Sequence, residues 1–280
     1  MAAVLGTNVA SLWASKNLQS AQSNMANSVE RLSSGLRINR ARDDAAGLAV
    51  ANSLTQQINS ADQGVRNLND GISMVQTSEG AIAQATEMAQ RILTLSVQAI
   101  NGSLSSTQKT NITTEMRALI TAIDSITTRT MFSGTTLLDA TAITIYTGKS
   151  STESVSISAA ALAKISSGGS ATTLSTAITT AASSTADASY TAIANAASTY
   201  ITALDTQRGA LGAIQNQMEY SVNNIVELSA NLSSARSRVI DTDYATETSK
   251  LTKGQILQQA ATAMLAQANQ MPNVILSLLK

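Results

Sequence analysis

A 4-3 spacing of apolar residues, sustained over very long stretches, constrains this chain more than any other feature. One run is Leu54, Ile58, Ala61, Val65, Leu68, Ile72, Val75, Ile82, Ala89, Leu93 and Ile100. Its register holds even though Glu79, Thr86 and Ser96 occupy seam positions. A second run is Ile193, Ala197, Tyr200, Leu204, Leu211, Ile214, Met218, Ile225, Leu228, Leu232, Ala235 and Val239, broken at Gln207 and Ser221. Apolar residues that recur every 3.5 positions form the seam of a coiled coil. At 1.5 Å per residue each run makes a helix roughly 70 Å long, and equal lengths suggest that the two lie side by side. A third, shorter run, Ile112, Met116, Leu119, Ile123 and Ile126, follows the turn signal Asn101-Gly102-Ser103 and is expected to fold back on the first. Phe132, Ser133 and Gly134 end its helical pattern. With 1 proline in 280 residues, almost nothing interrupts long helices.

The two ends repeat the pattern. Leu5, Val9 and Leu12 precede Met25, Val29, Leu32 and Leu36. At the far end come Leu257, Ala261, Met264, Ala268, Met271, Ile275 and Leu278. Apolar chain ends need a burial partner, and each end is the natural partner of the other. Pro272 lies inside the last run and should kink or locally unwind it. The faces opposite the seams carry Ser, Thr, Asn and Gln where a solvated coiled coil would carry Glu and Lys. Such faces admit further helices, which points to assembly.

Residues 140–189 differ in composition. Ser, Thr and Ala dominate them, and Lys149, Glu153, Lys164 and Asp187 are their only charges. Residues 143–146 and 155–157, separated by Thr147-Gly148-Lys149-Ser150, predict a β-hairpin. Ala159–Ile165 is expected to be a short helix ended by Gly168-Gly169. So little bulky apolar surface makes an appendage rather than an independent domain. The fold class expected is mainly α: a long antiparallel helical bundle with paired terminal helices and a small appendage containing a β-hairpin.

Composition narrows the function. There are no Cys and no His, so thiolate and imidazole catalysis, disulfides, a Ser-His-Asp triad and an HExxH metal site are excluded. No cofactor is expected. Lys plus Arg equals Asp plus Glu at 18 each, without the basic excess of a nucleic-acid binder. Asp241 and Asp243, with Glu247 nearby, read as helix-start caps rather than an acid/base pair. No run approaches the roughly 18 apolar residues of a spanning helix, and the start, MAAVLGTNVASLW, lacks the basic region of a cleavable signal.

Ordered motifs carry a resemblance. RLSSGLRINRARDDAAGLAV at 31–50, NLNDGISMVQTSEGA at 67–81, QRGALGAIQNQ at 207–217, ARSRVIDTDYATE at 235–247 and the close LAQANQMPNVILSLLK resemble bacterial flagellin over 1–138 and 200–280. The resemblance implies an inner unit of 1–43 with 237–280, a surrounding bundle of 44–139 with 190–236, and a short variable segment at 140–189. It implies a structural subunit that polymerises helically into the flagellar filament. Alternatives are the hook–filament junction protein and a surface-displayed homologue that binds a ligand through its middle segment.

The same resemblance assigns residues. The terminal seams, Leu5, Val9, Leu12, Met25, Val29, Leu32, Leu36, Leu257, Met264, Met271, Ile275 and Leu278, would drive assembly. RINRARDD would be a connecting spoke, with Arg37, Arg40, Arg42, Asp43 and Asp44 in ion pairs that lock subunits together. Flagellins often carry a small residue and a Lys where this chain has Arg40 and Arg42. Residues 90–98, QRILTLSVQ, resemble the stretch sensed by the flagellin-specific toll-like receptor, which makes Arg91, Leu95 and Glu115 contact candidates. Implied partners are further copies of the chain, hook-associated and cap proteins and an export chaperone, but neither nucleic acid nor a membrane interior. The implied location is extracellular, reached through the flagellar type III apparatus. Terminal helices that cannot bury their seams alone are expected to fold on assembly. The Ser/Thr-rich middle is a candidate for O-linked glycans.

Overall fold

The computed structural model describes residues 7–166 and 169–278, with side chains described to residue 270. Two compact units divide the chain, Met1–Gln56 with Asn231–Lys280, and Gln57–Ala230. The described elements are six helices and four short strands: α1 (Val9–Ser34), α2 (Ala45–Ile100), α3 (Ser106–Arg129), β1 (Met131–Phe132), β2 (Thr135–Thr136), β3 (Ile143–Tyr146), β4 (Ser154–Ile157), α4 (Gly169–Ser183), α5 (Asp187–Ile240) and α6 (Tyr244–Leu278). None of the described helices is long and apolar enough to cross a membrane.

In the central unit the heptad pattern becomes a core. Leu68, Val75, Ile82 and Ala89 of α2 are fully buried at intervals of one heptad, as are Leu204, Leu211 and Met218 of α5. Met116 and Ile123 of α3 join the same cluster. The two long helices run antiparallel, since Arg208 bonds Glu79 and Ser229 bonds Asp62. Helix α3 starts from a capping box, in which the Ser105 hydroxyl accepts the Gln108 N–H and the Gln108 side chain accepts the Ser105 N–H. Its first turn is tied to α5 through the buried Lys109, which pairs with Asp187 and lies over the Tyr190 ring.

The variable segment contributes to that core rather than hanging from it. Strands β3 and β4 form the expected hairpin, antiparallel with Ile143 opposite Ile157. Its tip seats on α2 at Gly64, where any side chain would collide with the Thr147 carbonyl, and Asn67 donates to the Tyr146 carbonyl at 2.9 Å. A second hairpin, β1–β2, turns through Ser133 and Gly134, both at positive φ (48° and 85°) as a type I′ turn requires. Ser133-Gly134 marked the break in the sequence but not the strands around it.

The helix expected at Ala159–Ile165 does not form. These residues make turns, and their carbonyls bond elsewhere: Leu162 O accepts the Ala140 N–H, Ala163 O accepts Gln207 Nε2, and Ile165 O accepts the Tyr200 hydroxyl. Tertiary donors thus take what a helical ladder would have used. Burial pushes the Tyr200 phenol well above its ordinary value. Nor does Gly169 end a helix. It starts α4, whose Ala171, Leu174, Ile178 and Ala181 are buried at helical spacing, and α4 packs on α3.

In the terminal unit α1 and α6 pair antiparallel. Helix α1 ends at Gly35, in the left-handed conformation (φ 72°) that glycine adopts without penalty, and its N–H bonds the Arg31 carbonyl. A short bridge joins Leu36 to Asp241, with Arg37 N–H donating to Ile240 O and Thr242 N–H to Gly35 O. Asp44 caps the start of α2 by accepting the Gly47 N–H. Asp243 caps α6 by accepting from Ala245 and Thr246, and these bonds hold its carboxyl below the usual range. Helix α6 continues through Pro272 without the expected unwinding. A proline removes one ladder bond, and the surrounding turns hold the helical path.

Candidate functional site

Most of the buried residues between α1 and α6 are small. Ala14, Ala21 and Ser28 of α1 are buried one heptad apart, and so are Glu247, Gly254 and Ala268 of α6, with Ala261 half-buried in the same phase. Gly254 lies beside Met25. Small residues let two helix axes approach closely, because axial distance follows the side chains at the contact. Each helix therefore turns a narrow stripe of Ala, Gly and Ser to its partner.

That geometry relocates the expected seam. Leu12 is 61 % exposed and Met264 67 %, and Val9, Val29 and Leu257 are exposed as well. Met25, Leu32 and Leu36 are half-buried. Leu5 lies outside the described residues, as do the side chains of Met271, Ile275 and Leu278. The termini do find each other, but the large apolar residues are not what they bury within the chain. Leucine at those positions would hold the helices too far apart for the Ala14–Ala21–Ser28 contact, so the wide stripe turns outward. Trp13, which the periodicity did not single out, is 60 % exposed with Lys16 Nζ 5.3 Å from its ring centre. Beside it runs a groove of about 590 Å³ lined by Trp13, Ala14, Ala21, Leu257, Ala261 and Met264. Contiguous exposed apolar surface of this kind marks an interaction site.

The buried end of the pair carries a charge cluster. Glu247, 4 % exposed, accepts the Ser28 hydroxyl at 2.7 Å and Lys250 Nζ at 3.0 Å, with Arg31 at 4.0 Å. Burial pushes this carboxyl up, but the Ser28 bond and the Lys250 and Arg31 charges outweigh it and hold it below the usual range. The sequence suggested only a helix cap here. A lone Glu gives no sign that its partner is a serine on a distant helix.

The five charges of RINRARDD are tied within the chain. Arg40 pairs with Glu30 at 2.7 Å, Arg37 donates to the Val239 carbonyl, and Arg42 lies 3.7 Å from Asp43. Asp43 accepts the Arg40 and Asn39 N–H groups, and the Arg40 bond leads in holding its carboxyl below the usual range. Arg37, Arg40 and Asp44 bond partners outside the segment's other charges through their side chains, and only Arg42 and Asp43 face each other, so the segment is a set of local locks rather than one cluster.

On the central unit, Arg91 and Glu115 form a two-point pair, with Arg91 Nη2 at 2.8 Å and Nε at 3.0 Å from one carboxylate oxygen. Both are exposed. Leu95 is 2 % exposed and belongs to the core beneath them.

Family models and sequence relatives agree on one family. Residues 5–143 match the bacterial flagellin N-terminal helical region and residues 193–279 the bacterial flagellin C-terminal helical region. Flagellin of Bacillus subtilis (strain 168) is 38 % identical over 98 % of this chain and 98 % of its own length. Flagellin of Halalkalibacterium halodurans is 36 % identical over 99 % of this chain and 100 % of its own. A crystal structure of Bacillus cereus flagellin aligns with 61 % of this chain and 94 % of its own, at a TM-score of 0.48 and 22 % identity.

Proposed function

We propose a division of labour among the surfaces just described, on the premise that this chain belongs to the bacterial flagellin family. The protein is a structural subunit of the extracellular flagellar filament, a homopolymer, and not an enzyme. Its work is mechanical, and the question is which residues join the copies.

The exposed apolar stripe of α1 and α6 is our candidate for that joint. One observation carries the proposal: Leu12, Trp13 and Met264 stay in solvent while small residues make the contact within the chain. Leu5, Met271, Ile275 and Leu278 continue the same stripe in the sequence. Burying a side chain such as Leu or Met yields about 1.5–3 kcal/mol, so a few such residues per subunit supply a strong cooperative bond. Replacing Leu12 and Met264 together by Ser should block polymerisation while leaving the melting of the monomer's central unit unchanged. Sedimentation and electron microscopy read the outcome, and filaments of ordinary length from that variant would overturn the assignment.

Residues 1–43 with 237–280 then form the inner unit, 44–139 with 190–236 the surrounding bundle, and 140–189 its variable part. Arg40, locked to Glu30, and Arg42 hold the connecting segment in a shape that can meet neighbouring copies. Export through the flagellar type III apparatus, an export chaperone, and the hook-associated and cap proteins complete the proposed route. Terminal helices whose large apolar residues lack a partner within the chain fold fully when neighbours cover them.

Recognition by the flagellin-sensing toll-like receptor would use the exposed Arg91–Glu115 pair, with Leu95 shaping the surface from below. In a reporter-cell assay Arg91→Ala should weaken signalling by an order of magnitude or more, as loss of a charged hot spot worth about 2 kcal/mol does. An unchanged response excludes this contact.

A further inference from the structure

The chain's 1 proline acts four residues before itself. A prolyl nitrogen has no hydrogen, so residue 272 cannot donate to the Ala268 carbonyl as the helical ladder requires. Ala268 is a buried position on the face that α6 turns to α1. A buried carbonyl without a donor costs about as much as a lost hydrogen bond. Here the donor comes from the other end of the chain, since Asn8 Nδ2 lies 2.7 Å from Ala268 O. The same side chain caps α1, its Oδ1 accepting the Ser11 N–H at 3.1 Å. One turn on, the Ser11 hydroxyl donates to Asn269 Oδ1 at 3.0 Å.

The small-residue part of the contact specifies register weakly. The stripes that face each other carry Ala14 and Ala21 on α1 and Gly254, Ala261 and Ala268 on α6, so at these positions a slip of one heptad would exchange one small residue for another. Such a slip loses little apolar burial. A slip toward the start of α6 would, however, leave Ala268 O empty and bring the Asn8 amide to the Ala261 carbonyl, which already has its ladder donor. Ser28–Glu247 marks the register at the opposite end of the pair.

We propose that Pro272 is a register mark on α6 and Asn8 its reader: the proline frees a single interior carbonyl, and Asn8 fixes the pairing of the chain's two ends by bonding it. This deepens the assembly reading above and rests on it, because the stripe that copies share is aligned only when the α1–α6 register is. Asn8 is a positioning residue whose effect runs through Ala268.

A double-mutant cycle on polymerised full-length protein tests this, with Asn8→Asp, Pro272→Ala and their combination compared by the temperature of filament disassembly. Asp caps helices as well as Asn and adds a charge favourable at a helix start, so capping alone predicts no loss from N8D. What N8D loses is the donor. We expect N8D to lower the disassembly temperature by several degrees or to block assembly. In the P272A background, where residue 272 supplies its own N–H, the same change should have little effect. Asn8→Ser, which caps but is too short to reach Ala268, should behave as N8D. Equal effects of N8D in both backgrounds, no effect in either, or failure of P272A to rescue a non-assembling N8D would each overturn the proposal. If those results come with normal wild-type filaments, the assembly reading survives. Absence of filaments from the wild-type chain would instead remove the reading itself.

Discussion

The central unit and the terminal unit are written in the same 4-3 pattern and use it in opposite ways. In the central unit the large apolar residues, Leu68, Val75, Ile82, Leu204 and Leu211, point into the chain's own core. In the terminal unit Ala14, Ala21, Gly254 and Ala268 fill the contact, and the large residues Leu12, Leu257 and Met264 remain outside. A helix has one best face for a given partner. Where the partner is a close helix the face must be small, and the wide stripe is left for a neighbour. Periodicity therefore states that a stripe will be buried, but not in which molecule.

Three experiments test this contrast. The largest effect should come from deleting residues 271–280, which removes the last part of the apolar 4-3 pattern in the sequence. Polymerisation should be abolished while the central unit melts as before, as judged by sedimentation and circular dichroism. Filaments from that truncation would mean that the terminal unit does not supply the joint. Next, Leu68→Ala in the filled core should cost about 2–5 kcal/mol in monomer unfolding by denaturant. Leu12→Ala should fall within about 0.5 kcal/mol in the same measurement and weaken only the filament. Equal effects on the monomer would erase the distinction between the two stripes.

The smallest effect concerns acid. Glu247 has a lowered carboxyl pKa, so its contribution to the α1–α6 pair is full above its ordinary value of 4.5 and is lost as pH falls through the lowered one. Glu247→Gln should therefore flatten the acid dependence of filament stability from about pH 4.5 downward, as followed by light scattering. Asp43 and Asp243 are lowered too, so some acid sensitivity will remain. An identical acid profile for the variant would show that this carboxylate does not link the ends to pH.

Much of the architecture was legible because it rests on local repetition. The runs at 54–100, 112–126 and 193–239 are helices, and the hairpin expected at 143–157 forms. The failures lie where side chains reach across the chain. Ala159–Ile165 has helical composition, yet Gln207 and Tyr200 take its carbonyls. Gln207 looked like a flaw in the α5 seam and is instead a donor to Ala163. Helix α4 escaped notice because Leu174 and Ile178 are thinly spread among Ser, Thr and Ala. At the candidate site Arg91 and Glu115 meet in an exposed pair, whereas the core reaches Leu95 first.

By itself, the sequence determined that this chain is a set of long helices without imidazole or thiol chemistry, that its ends belong together, and that its motifs are those of flagellin. Those properties follow from period, composition and order, which need no coordinates. Tertiary structure alone decided which stripe the ends bury against each other, that Ser28 reaches Glu247, and that Asn8 meets the carbonyl Pro272 leaves open. The physical reason is distance along the chain. A hydrogen bond between residues 8 and 268 leaves no periodic trace, and a close helix contact is chosen by side-chain size in three dimensions.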